Sequence, residues 1–216
     1  MAKEFFEIHS SMTNTIEGSS VVIDVNTERI CPNMTNAEFR KVFADAQAEA
    51  VAKIGVRLKA LNAWHTSEKD RVFQWFGRND ESMREHLLNG LGRVLEVVRE
   101  FGPENVVRSD SEGDKATGCL PNPRGRDAEA AHVCAPDTAT HTIAISLGFC
   151  TMRPRSGGGD SRVSTIIHEA THFLDTMATE DPKYGIVPML KTWGRAHPEL
   201  AIKNADSVAG YCVYSD

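Results

Sequence analysis

The sequence predicts an α+β fold, mainly α, in which a small antiparallel sheet lies beside one buried helix. Three features point there. Long stretches repeat apolar residues every three or four positions, one stretch alternates them every second position, and one short helical segment is apolar around ionisable residues.

Residues 1–30 differ in character from the rest and are expected to form an N-terminal extension. A polar run rich in Ser, Thr and Asn precedes Val21-Val22-Ile23-Asp24-Val25, which reads as a short edge strand. Thr35-Asn36-Ala37-Glu38 then forms a capping box: the Thr hydroxyl accepts from the amide of Glu38, and the Glu carboxylate reaches back to the amide of Thr35. It opens a long amphipathic helix through about Leu61. Further helical patterns cover 67–76 and about 81–101, the latter stopped by Gly102-Pro103. Residues 104–137 are rich in loop formers. Asp110-Ser111-Glu112-Gly113-Asp114 reads there as a solvated turn, because it lacks the ligand spacing of a calcium loop. Over 140–149, Ile143, Ile145 and Leu147 fall on one face, which is the signature of a strand. A last helix is expected over 193–208. Nothing in 31–216 marks a linker, repeat or low-complexity segment, so that stretch is a single domain large enough to bury a core.

The chemistry is concentrated in His168-Glu169-Ala170-Thr171-His172. Two imidazoles four residues apart project from one helical face and can bind the same zinc ion. The Glu beside the first His points at the ion's open position, where it can take a proton from water. Val163, Ile166, Ile167, Phe173 and Leu174 supply the apolar pattern of a packed helix, Ser161 or Ser164 can cap its start, and the glycine-rich residues 156–160 feed it.

A catalytic zinc takes three protein ligands. Asp175 shares the helical face, but it stands about 10 Å along the axis from His168, too far for a short side chain to close a tetrahedral site. The third ligand must come from a chain that turns back, and Pro182 imposes that turn by disfavouring helix at Asp181. Asp181 is therefore the expected third ligand. A metzincin would need Gly at 175 and His at 178, where this chain has Asp175 and Ala178. A gluzincin would use a Glu from a later helix, for which Glu199 is the minor alternative.

These residues resemble the signature of the aspzincins, the deuterolysin and peptidyl-lysine metalloendopeptidase group: His168-Glu169-Ala170-Thr171-His172-Phe173, followed by Ala178-Thr179-Glu180-Asp181-Pro182-Lys183-Tyr184-Gly185 in place of the family's G-T-x-D-x-x-Y-G. Asn204-Ala205-Asp206-Ser207, Trp75-Phe76-Gly77 and the strand ending at Cys150 extend the resemblance over roughly residues 31–214, with Ala178 in place of the usual Gly as the departure. The resemblance implies a zincin-like metalloprotease domain over 31–216. It implies Zn2+ held by His168, His172 and Asp181, Glu169 as general base, and Tyr184 as a hydrogen-bond donor to the tetrahedral oxyanion. It further implies a substrate pocket in which Asp206 reads a Lys after the cut. The second acid of that pocket would fall at Ala209, so the taste for basic residues should be soft. Asp206 has a second reading, as the group that orients His168 or His172. In zinc endopeptidases a strand such as 140–149 flanks the cleft and pairs with extended substrate. The same resemblance suggests disulfides Cys31–Cys119 and Cys134–Cys150, leaving Cys212 free; buried reduced thiols are the alternative.

Composition narrows the partners. A net charge of −6 without a basic cluster speaks against nucleic acid, and no apolar run is long enough to span a membrane. The expected partner is a protein or peptide substrate, and no inhibitor or immunity protein is legible. The first ten residues lack an apolar signal core, so an exported form would use a leaderless route or a leader outside this chain; a cytoplasmic protein is the alternative. Two other functions share the metal motif: a zinc amidase acting on cell-wall or other amides, and a non-catalytic binding module stabilised by zinc. Glu169 speaks against the module, because a structural site needs no base.

Overall fold

The computed structural model describes residues 28–119 and 129–214; the expected strand at 21–25 lies outside them. Helix α1 (Asn36–Ala63) starts where the capping box places it, with Glu38 N donating to Thr35 and Thr35 N donating to the Glu38 carboxylate at 2.8 Å. α2 (Thr66–Phe76) ends at Gly77, whose φ of 68° supplies the left-handed turn that glycine adopts at little cost. Asp80 caps α3 (Glu81–Glu100) by accepting from Met83 N at 3.1 Å. Met83, Leu87, Leu91, Val94 and Val98 recur along α3 at helical spacing and are all buried. The helix of the metal motif, α6 (Arg162–His172), packs against both α1 and α3.

Among the described residues three short strands make one sheet: β1 (Val106–Arg108), β2 (Ala131–Val133) and β3 (Ile143–Ile145), in the order β1-β3-β2. The domain is mainly helical with a small sheet, but the sheet is mixed. β3 runs antiparallel to β2 and parallel to β1, because the chain between β1 and β2 crosses over and leaves room for β3 in the middle. This central place explains why all three β3 residues are buried instead of alternating. The strand is also shorter than its alternation implies. Ser146 begins α5 (Leu147–Thr151), and Leu147 turns outward to 55% exposure.

Three other expectations are corrected. The single helix at 193–208 is three: α7 (Pro188–Ala196), α8 (Pro198–Ala201) and α9 (Ala205–Val213). Pro198 cannot continue a helix from its predecessors but suits the first turn of a new one. The disulfides are Cys31–Cys150 and Cys119–Cys134, with Cys212 free and buried. The approach to α1 lies against α5, bringing the first pair to a Cα separation of 5.5 Å, within bridging range. Asp114 is not solvated: it sits in α4 (Glu112–Ala116), 4% exposed, accepting from Asp110 N at 2.8 Å and facing His132 at 3.0 Å.

The C-terminal helix α9 lies along α6 and meets α2 at Trp75, which is fully buried. The contact requires glycine. A Cβ on Gly210 would stand 2.3 Å from the Trp75 ring, far inside van der Waals contact. Gly210→Ala should therefore push α9 away from α2 and lower the unfolding free energy by about 1–3 kcal/mol. Urea denaturation reads this directly, and an unchanged midpoint would show that α9 is not seated on Trp75.

Candidate metal centre

α6 begins at Ser161, whose hydroxyl accepts from Ser164 N at 3.1 Å while Ser161 N donates to Ser164 Oγ at 2.8 Å. The helix stops after His172, where Phe173 leaves helical geometry and buries its ring. His168 and His172 stand one above the other with ring centroids 4.8 Å apart. Each has its Nδ1 engaged: His168 by Asp206 Oδ1 at 2.6 Å, His172 by the Thr179 carbonyl at 2.9 Å. With Nδ1 donating, the lone pair of each ring is on Nε2, and both Nε2 atoms face Asp181.

The turn after α6 delivers that carboxylate. Ala178 takes φ 48° where the related signature has Gly, Thr179 N donates back to Thr171 O at 3.1 Å, and the Thr171 and Thr179 hydroxyls are 2.6 Å apart. Glu180 is then stitched to the start of α9 through Lys203 O (2.7 Å) and Ala205 N (3.0 Å). Asp181 arrives with Oδ1 3.2 Å from His168 Nε2 and Oδ2 3.5 Å from His172 Nε2.

These separations fit a metal ion. Ligand atoms about 2.0–2.1 Å from a tetrahedral zinc stand roughly 3.3–3.4 Å from one another; each Nε2 has a different Asp181 oxygen near that separation, so a small turn of the carboxylate would bring one oxygen within reach of an ion shared with both rings. Asp181 Oδ1 is also buried and makes no well-formed hydrogen bond; its near neighbour is His168 Nε2 at 3.2 Å, and an ion between the two would satisfy both. The two imidazole nitrogens and Asp181 could hold the ion on one side, leaving the cleft side open. Burial alone would lower the His168 pKa, but Asp181 and Asp206 outweigh it and hold the ring well above its ordinary value. Burial raises Asp181 while the His168 and His172 rings lower it, and the result is a carboxyl below its usual range. His172 is lowered, by burial and by the neighbouring His168 charge.

Glu169 is the other group at the centre. Its carboxylate lies within 4.8 Å of the nitrogens of both histidines, and burial pushes its pKa up to about 8 against the opposing pull of His168. Burial thus brings the titration of this carboxyl toward the neutral range. Tyr184 is on the opposite wall, 70% exposed, its hydroxyl donating to Asp181 Oδ2 at 3.1 Å. Burial of the hydroxyl and the charge of Asp181 raise its pKa to about 12, so it remains a donor at neutral pH.

All of this opens into a cleft of about 780 Å³, lined by Glu169, Tyr184, Met152 and Asp160, with Ala131 to Val133 of β2 along one side. The strand at the cleft is thus β2, not the 140–149 segment, because β3 has neighbours on both sides and only an edge strand has a free ladder. Ser146 N donates to Ala130 O, which makes 130/146 and 132/144 the bonded pairs and turns the main chain of Ala131 and Val133 outward. His132 on this strand has Glu129 and Asp114 at its two nitrogens, and Glu129 above all raises its pKa to about 9.

Asp206 does not stand free in a pocket. One oxygen takes His168 Nδ1 and the other takes Gly185 N at 2.6 Å, while Ala209 is fully buried in the core. Glu199 is exposed on α8 and does not line the cleft, and Asp175 faces His141 at 3.0 Å. The Thr179 carbonyl, the anchor of His172, carries no signal in a sequence, since any residue supplies a carbonyl.

A central helix with two histidines one turn apart, a returning aspartate and a buried glutamate beside an edge strand define a class, the zinc metalloendopeptidases. The profile of the family described as lysine-specific metallo-endopeptidase, the aspzincins, matches residues 60–213, and the chain belongs to that family. Six solved chains also match. One is the zinc peptidase from Grifola frondosa, at 21% identity and a TM-score of 0.62 over 83% of this chain and 96% of that one, which shows a shared fold. Curated proteins give no match.

If Asp206 orients His168, Asp206→Ala should weaken zinc binding by about 10–100-fold with the ligands themselves intact. Competition with a calibrated chelator measures the change, and equal affinity in both proteins would rule out this role for Asp206.

Proposed function

We propose that the chain hydrolyses extended peptides, with His168, His172 and Asp181 holding Zn2+, Glu169 as general base and Tyr184 as oxyanion donor. The observation that carries this reading is the Asp181 carboxylate lying between the two Nε2 atoms with Glu169 buried alongside. When bound, zinc supplies Lewis-acid polarisation of the scissile carbonyl and of the attacking water. Glu169 takes a proton from that water and passes it to the leaving amine nitrogen. The Tyr184 hydroxyl exchanges its bond to Asp181 for one to the carbonyl oxygen as negative charge develops there. Main-chain groups of Ala131 and Val133 align the substrate as an added strand, which favours an extended peptide over a cell-wall amide.

Specificity follows from charge more than from a fitted pocket. Both Asp206 oxygens already accept hydrogen bonds and Ala209 offers no second acid, so the preference for Lys or another basic residue after the cut is soft. Two disulfides fit an oxidising, extracellular setting. No helix among the described residues is long and apolar enough to cross a membrane.

Glu169→Gln should keep stoichiometric zinc while casein hydrolysis falls by about 10²–10⁴-fold. Metal analysis and activity on the same preparation decide it, and a fully active variant would remove Glu169 from the mechanism. A second pair of variants assigns the third ligand. Asp181→Ala should lose zinc and activity together, whereas Glu199→Ala should keep both; the reverse pattern would require a different metal site.

A further inference from the structure

On its C-terminal side the loop that presents Tyr184 is held by two carboxylates, of which only Asp206 has a part in the site described above. Gly185 N donates to Asp206 Oδ2 at 2.6 Å, and the next amide, Ile186 N, donates to Asp160 Oδ1 at 2.9 Å. We propose that Asp160 is a positioning residue for peptide hydrolysis: it fixes the backbone from which the Tyr184 hydroxyl reaches the oxyanion. This inference rests on the oxyanion reading of Tyr184.

The need for such a clamp follows from the geometry of the loop. At 70% exposure the Tyr184 ring has no packed walls to hold it, so its place is set by its own backbone. Its hydroxyl bond goes to Asp181, a carboxylate assigned to the metal, and must be given up when the donor turns to substrate. The backbone cannot hold itself in place either. Gly185 follows directly with φ 94°, a left-handed conformation with wide freedom around it. What remains is the bond from Lys183 N to Asn204 Oδ1 at 3.1 Å before the tyrosine, and after it the pair of amide bonds and the fully buried side chain of Ile186.

The two carboxylates divide the work between different elements. Asp206 belongs to α9. Asp160 immediately precedes Ser161, the cap of α6, so its bond ties the loop to the start of the helix that carries His168 and Glu169. General base and oxyanion donor thus share one anchor across the cleft, which Asp160 itself lines. A group that sets the distance between two catalytic side chains acts on turnover, since a displacement of about 1 Å can cost on the order of 10²-fold. Asp206 cannot be used to isolate this effect, because it also holds His168. Asp160 has no such second bond to a proposed metal ligand, and its loss should leave the metal in place.

The experiment compares Asp160→Ala, Asp160→Asn, Tyr184→Phe and the double variant Asp160→Ala/Tyr184→Phe as zinc-loaded full-length protein. Asp160→Ala should lower kcat by about 10- to 100-fold with KM and zinc content unchanged. Asp160→Asn should recover most of that loss, because its amide oxygen can accept the same bond. In the Tyr184→Phe background, Asp160→Ala should cost less than about twofold, as expected of two residues acting through one group. Hydrogen exchange over residues 184–187 of the metal-free protein should quicken in Asp160→Ala and return to the original rate in Asp160→Asn. If the alanine variant does not fold, Asp160→Lys, a polar residue without an acceptor at this exposed position, takes its place with the same expectations. Equal losses with Tyr184 intact and in the Tyr184→Phe background would overturn the proposal and leave Asp160 a general stabiliser. An unchanged kcat despite faster exchange would also overturn it. Full activity in Tyr184→Phe would instead remove the oxyanion reading, and the proposal would fall with it.

Discussion

The hydrogen bond between His168 Nδ1 and Asp206 is the constraint on which the rest of the site depends. Spacing on a helix puts two imidazoles on one face, but each ring can still present either nitrogen. Asp206 removes that freedom for His168, and the Thr179 carbonyl removes it for His172. Only then do the two Nε2 atoms converge with Asp181 at separations that suit one ion. The same carboxylate holds Gly185, so the loop of Tyr184 is placed by the group that aims the first histidine. The position of Asp206 depends in turn on α9, whose contact with Trp75 leaves room for no side chain at 210. Packing far from the cleft thus sets geometry inside it.

What the sequence disclosed was what lies close along the chain. The α1 and α6 caps, the four-residue spacing of the histidines and the turn at Asp181-Pro182 are each written within a dozen residues, and each sits where that local chemistry puts it. Ala178 is instructive, because the turn there takes a left-handed φ of 48° without the glycine that would adopt it at no cost. Long-range partners were harder to read. Asp206 lies 38 residues from His168, and nothing in its own segment marks which donors its two oxygens take.

Three of the elements that differ share one cause: local patterns do not report what packs on either side. An alternating stretch at 140–149 resembles an edge strand, yet β3 is central and buried on both faces, and β2 takes the edge. An acid-rich turn at 110–114 resembles a solvated loop, yet Asp114 is buried against His132. Cysteine pairing has the same character, since Cys31 meets Cys150 across 119 residues for reasons of helix placement that spacing does not encode. The helical tail differs for another reason. Its apolar periodicity continues through Pro198, which restarts the helix where periodicity alone would extend it.

The centre gathers the carboxylates Glu169, Asp181 and Asp206 around two imidazoles in a chain of net charge −6, an arrangement that calls for a cation. Anomalous diffraction at the zinc edge from crystals of the loaded protein tests that claim most directly. One strong peak is expected about 2.0–2.2 Å from His168 Nε2, His172 Nε2 and one Asp181 oxygen, with Glu169 outside the coordination shell. A peak ligated by Glu199, or a site closed by a fourth protein ligand, would contradict it.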